Sequence, residues 1–215
     1  MDEILTASQP YVTLVKDVIT IISIIAATVV AFMGLQTWKN QLVGTVEYEL
    51  AKRILKATYR LRDVLENVRN PLILAEEEYR AAKESNLDND SDAPDVRRRR
   101  SEAVYNNRWK DVVSNFQDLQ LTAAEAEAVW GTEVKDKLLG IRVSVMNLYT
   151  AIQMFHLYAF RPNPDEKIQE IVRTFEKIVY KSSVDVPDDY STNLLAELAV
   201  IERAVRPYLK RNRHK

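Results

Sequence analysis

Two hydrophobic patterns follow one another along this chain. From Val18 to Trp38 twenty-one residues pass without a charge, and from Val18 to Leu35 Ile, Val, Ala, Leu, Phe and Met fill positions on every side of a helix. At a helical rise of about 1.5 Å per residue the run is roughly 32 Å long, which matches the hydrocarbon core of a bilayer. Beyond it the apolar residues recur only every three or four positions, the spacing of a helix with one buried face. Leu50, Ile54, Ala57, Leu61, Val64 and Val68 hold that spacing, with Ala51, Leu55, Thr58 and Leu65 widening the face. The first pattern predicts a transmembrane helix over 18–38, and the second an all-α bundle after it.

The strongest repeat is Tyr105, Trp109, Val112, Phe116, Leu119, Ala123, Ala126 and Trp130, answered by Val134, Leu138, Ile141, Val145, Leu148, Ile152, Phe155 and Ala159. Gly131 stands between the two runs, where a tight helix–helix turn needs a residue free to leave the helical region. This predicts an antiparallel helical hairpin about 40 Å long. Its core would be Trp109, Phe116, Trp130, Leu148 and Phe155, with Trp109 at the Phe155 level and Phe116 at the Leu148 level. Thr122 with Glu125 is a competing capping-box pattern that would start a fresh helix before Trp130.

Breaks divide the chain further. Residues 1–17 form a short N-terminal segment in which Ser8 caps a helix starting near Gln9. Residues 39–84 are a juxtamembrane helix with Gly44 as a hinge candidate and a break at Asn70–Pro71, because the residue before proline is pushed out of the helical region. Residues 85–96 form an acidic loop, 97–209 the hairpin and C-terminal helices, and 210–215 a basic tail. Within the C-terminal part Asn163 is read as a cap with Pro164 opening a helix, and the last helix as Asn193–Leu209, kinked or ended by Pro207.

Composition narrows the class. Four glycines in 215 residues favour helices over turn-rich β structure. A net charge of −1 gives no overall field to recruit nucleic acid, and the lack of cysteine removes disulfides and thiol chemistry. Asp2 and Glu3 stand where a signal peptide carries positive charge, so the apolar segment is expected to remain attached. Lys16 alone precedes it, against Lys39, Lys52, Arg53 and Lys56 after it. The positive-inside rule therefore puts the N-terminus outside and the bundle in the cytoplasm, at the inner membrane, with Tyr11, Trp38 and Lys39 at the interfaces.

Thr20, Ser23, Ala27, Ala31 and Gly34 share one stripe of the span. Small side chains allow the close approach through which helices pair in lipid, though they are also simply tolerated in spans. Arg97, Arg98, Arg99 and Arg100 follow the aspartates of the acidic loop. They read as a solvated helix start paired with those aspartates, as a contact for anionic lipid, or as a nucleic-acid patch, the first being favoured by the neighbouring acids. Lys210, Arg211 and Arg213 read as a solvated end or a second lipid or partner contact. The acidic loop lacks the glycine and terminal glutamate of a calcium loop, and Glu76, Glu77 and Glu78 diverge around their helix. His156 has Gln153, not glutamate, three positions before it, and no phosphate loop or nucleophile elbow fits the scattered glycines. No cofactor, metal ligand or catalytic residue is expected.

These features predict a membrane-anchored, non-enzymatic scaffold or sensor whose cytoplasmic bundle binds a protein partner, with no nucleic acid involved. The alternative is an oligomeric membrane effector of toxic or defence type that self-associates through its span. An enzyme whose carboxylate site is assembled only in three dimensions is the third.

Overall fold

The computed structural model describes residues 2–87, 93–181 and 188–210, with side chains from residue 14 onward. Among these residues there are seven α-helices and no strand: α1 (Asp2–Val68), α2 (Ala75–Glu84), α3 (Pro94–Trp130), α4 (Glu133–Lys137), α5 (Leu139–Ala159), α6 (Glu166–Val179) and α7 (Asp189–Lys210). The all-helical class expected from composition is what the chain adopts. It divides into two compact units, Met1–Val46 and Glu47–Lys215.

The first unit is helical over its described residues and buries no side chain from Leu14 to Leu42. Gly44, read as a hinge candidate, lies within helix. The helix begins at Asp2, ahead of the start expected near Gln9.

The second unit is a bundle around one principal core. Leu50, Ile54, Ala57, Leu61, Leu65 and Val68 are buried along the predicted face of α1. They join Val112, Leu119 and Ala126 of α3, Ile141, Val145, Leu148 and Ile152 of α5, and Leu194, Leu198, Ile201 and Val205 of α7. Helix α2 packs on α3, α6 on α5, and α7 on both α4 and α5. A smaller cluster of Ala81, Ala103 and Val104 seals α2 against α3.

Helix α3 runs unbroken past Thr122, whose hydroxyl donates to the Asp118 carbonyl at 2.8 Å and so supplies no cap. It ends at Gly131, which adopts φ 80°, a left-handed conformation that costs glycine little and other residues more. The second apolar repeat is not one helix from Val134: it breaks at Leu138 between α4 and α5, where the Leu138 N–H bonds Lys135 through a tighter i→i+3 turn. The ring contacts also differ from the levels expected. Trp109 meets the Tyr149 ring at 5.1 Å rather than the Phe155 level, and Tyr105 meets His156 at 5.0 Å. Leu148 and Phe155 are buried as expected, while Trp109, Phe116 and Trp130 are half-buried at the core's edge, Trp130 stacked on Tyr208 at 4.0 Å.

Further helix starts differ from the sequence reading, and α3 begins at Pro94, inside the segment read as the acidic loop 85–96, with Pro94 in its first turn where a proline N–H is not needed. Asp165, not Asn163, caps α6, its carboxylate accepting from the Ile168 N–H at 2.8 Å, while Asn163 takes φ 51° in the preceding turn. Helix α7 starts at Asp189 and continues through Pro207 to Lys210.

Candidate functional site

The apolar stretch of α1 is the most distinctive surface. An 18-residue stretch within Leu14–Val68 has a mean hydropathy of 2.6 and none of it is buried, so this helix is long and apolar enough to cross a membrane. A buried core helix and a signal sequence share that composition; the lack of burial separates it from the first. Three of its hydroxyls are internally satisfied: Thr20 donates to Lys16 O, Ser23 to Ile19 O and Thr28 to Ile24 O, each at 2.8 Å. A hydroxyl bonded to its own helix needs no water, which is what a lipid surround demands.

Thr20, Ser23, Ala27, Ala31 and Gly34 fall within an arc of about 80° at 100° per residue. All five are exposed, and a side chain built on Gly34 would meet nothing within 4 Å. Trp38 and Lys39 are exposed at the far end of the uncharged run. Tyr11 is helical, its side chain outside the described set.

The arginine run is split by pairing. Arg98 pairs with Glu102 on its own helix, and Arg100 reaches Glu78 of α2 at 3.4 Å. Arg97 and Arg99 are exposed. Asp88, Asp90 and Asp92 lie outside the described residues, as do Arg211 and Arg213; Lys210 is exposed at the end of α7.

Two isolated arginines that the sequence does not advertise carry the densest polar networks. Arg69, just past α1 and 1% exposed, donates from Nε to Ile178 O at 2.7 Å and from Nη2 to Lys177 O and Tyr180 O. It therefore satisfies the carbonyls that the end of α6 leaves without helical partners. The same guanidinium binds Asp188 and Ser191 at 2.8 Å, at the start of α7, and lies 4.5 Å from the Tyr190 ring. Burial opposes the charge on Asp188, but the Arg69 hydrogen bond, the Ser191 N–H and the Arg69 charge outweigh it and leave its pKa below the ordinary value.

Arg108 of α3 repeats the device. It holds both Glu77 oxygens, at 2.6 and 2.8 Å, and donates to Asn70 O at 2.7 Å and Leu72 O at 2.9 Å. Those carbonyls belong to the non-helical link between α1 and α2. The Arg108 hydrogen bond lowers the Glu77 pKa. Both arginines sit beside apolar repeat positions, so the available signal was a cation on a face otherwise reserved for the core.

His156 is buried on α5. Its Nδ1 lies 2.8 Å from the Ile152 carbonyl, which can only accept, so Nδ1 carries the proton and Nε2 accepts from the Ser101 hydroxyl at 3.0 Å. Burial lowers its pKa. A serine–imidazole pair of this kind has the polarity of a nucleophile and its base, but neither residue lines either of the two grooves described next. Among the described residues no group of three or more His, Asp or Glu side chains is placed to hold a metal ion.

One groove lies between α3, α4 and α5, with Phe116, Leu119, Leu138 and Leu139 in its walls. The other lies between α5, α6 and α7 and is more polar, with Asn147, Thr174, Lys177 and Asn193 among its residues. Comparisons with protein-family models, curated proteins and solved structures find no match.

Proposed function

We propose that this chain is a membrane-anchored helical scaffold or sensor, held at the cytoplasmic face of an inner membrane by α1 and presenting its bundle to a protein partner. The observation that carries the reading is the uncharged, unburied run of α1, in which Thr20, Ser23 and Thr28 each bond to their own helix. The cation imbalance, Lys16 before the run against Lys39, Lys52, Arg53 and Lys56 after it, supports a cytoplasmic bundle. The ring contacts Tyr105–His156 and Trp109–Tyr149 support an antiparallel pairing of α3 and α5 within the bundle.

The absence of native cysteine makes the test clean. Thr6→Cys and Lys167→Cys, each alone, are treated in intact cells with a membrane-impermeant maleimide and again after lysis. The proposal expects Thr6→Cys to label in both conditions and Lys167→Cys only after lysis. Intact mass from the membrane fraction should include residue 2 onward; a chain cleaved after the apolar run would make that run a signal sequence and end the proposal.

The small-residue stripe of α1, exposed and unfilled at Gly34, favours a second reading in which several spans assemble into a membrane effector. Ala27→Ile with Ala31→Ile should then reduce the mass of the detergent-solubilised particle and abolish any loss of membrane potential on expression. A particle whose mass is unchanged counts against the effector and leaves the scaffold standing.

A further inference from the structure

The groove between α3, α4 and α5 has no part in the membrane anchor. Its volume is ≈ 480 Å³, inside the range of about 300–1,000 Å³ typical of small-molecule sites. Phe116, Leu119 and Ala123 of α3 form one wall and Leu138 with Leu139 the other, while Ala124 leaves space that a larger side chain would take up. Leu139 is 64% exposed here, so the bundle leaves a large apolar side chain uncovered at the mouth.

Three charged residues border this apolar space. Lys135 is held by Glu127 at 2.7 Å, with Asp136 adding to the attraction. Arg142 is exposed, and among the described residues its guanidinium makes no hydrogen bond or ion pair. The groove therefore offers apolar walls and one cation without a counter-ion.

We propose that this groove binds a fatty carboxylate, its single alkyl chain lying against Phe116, Leu119, Leu138 and Leu139 and its head on Arg142. The two oxygens of a carboxylate match the guanidinium fork. A phosphate monoester, with nearly two negative charges, would call for a second cation, which Lys135 does not supply while it is held by Glu127, and Asp136 on the same wall repels the extra charge. A cationic amphiphile would place like charge on Arg142.

The test is equilibrium dialysis of the full chain in zwitterionic nanodiscs against radiolabelled laurate, with empty nanodiscs subtracted. The proposal expects one saturable site whose affinity rises about fourfold per methylene from octanoate to laurate, as burial of each methylene requires. Arg142→Gln should weaken laurate at least tenfold. Ala124→Phe, or Gln120→Trp should the first variant fold poorly, should abolish saturable binding with the bundle's helical melting unchanged. No saturable excess over empty nanodiscs, or laurate binding indifferent to Arg142→Gln and to the filled groove, would overturn the site. Dodecyl phosphate or dodecyltrimethylammonium binding as tightly as laurate would overturn the assignment of a carboxylate.

Discussion

The two ends of α1 use the same residue types to opposite effect. In the first unit Ile19, Ile22, Ile25 and Phe32 are 58% to 69% exposed, whereas in the second Leu50, Ile54, Leu61, Leu65 and Val68 are at most 2% exposed. The apolar residue types do not separate them; their spacing, and the charges set between them in the second, do. Apolar residues on every side have no single face to bury, while residues three and four apart make one stripe that a bundle can cover. The sharpest way to break the comparison is to put one carboxylate at each end. Ile54→Asp buries an unpaired charge and should unfold the bundle, at a cost above about 4 kcal/mol. Ile25→Asp should leave bundle melting unchanged and instead lower membrane insertion by about 2.5–3.5 kcal/mol. Circular dichroism of the purified variants and flotation of the membranes read the two outcomes separately. Bundle melting that shifts equally in both would mean that the apolar run is packed as core.

The same contrast holds among the arginines. The Arg97–Arg100 run is conspicuous in sequence, yet its members are exposed or half-buried. Arg69 and Arg108 stand alone and are buried, the first against the end of α6 and the second against the link between α1 and α2. Replacing Arg69 by Met takes the guanidinium away from Asp188 and from the last carbonyls of α6, and should cost about 3–5 kcal/mol in denaturant unfolding. Arg97→Met should stay within about 0.5 kcal/mol of the parent. Equal effects would mean that the Arg69 network is a surface ornament and not a clamp.

What could be read from the chain was whatever rests on spacing: the apolar run, the buried face from Leu50 to Val68, the break at Asn70–Pro71 and the left-handed stop at Gly131. What could not be read depends on partners far away in sequence. Arg69 bonds to carbonyls more than a hundred positions away, and nothing local distinguishes it from a solvated arginine. The break at Leu138 escaped because Val134, Leu138 and Ile141 keep helical spacing across it, and a tightened turn preserves that spacing nearly as well as a continuous helix. The groove escaped for a related reason: Phe116 and Leu138 were assigned wholly to the core, whereas each keeps part of its surface toward open space.

The finest separation between the polar networks is by pH. Burial holds the pKa of His156 below its ordinary 6.5. As pH falls through about 6.5 the unfolded chain takes up this proton before the folded one does, so stability is full above that value and is lost on the way down to the folded pKa. For one proton the slope is at most about 1.4 kcal/mol per pH unit. Glu77 and Asp188 have their pKa values lowered by Arg108 and Arg69, from 4.5 and 3.8. Their contributions are present above those values and are lost only at lower pH, in the same direction. Acid should thus weaken the bundle in two stages, and His156→Gln should remove the upper one while sparing the lower. Urea midpoints measured from pH 7.5 to 3.5 resolve the stages. If parent and His156→Gln decline in parallel between pH 6.5 and about 5, the buried imidazole is not the group that titrates there.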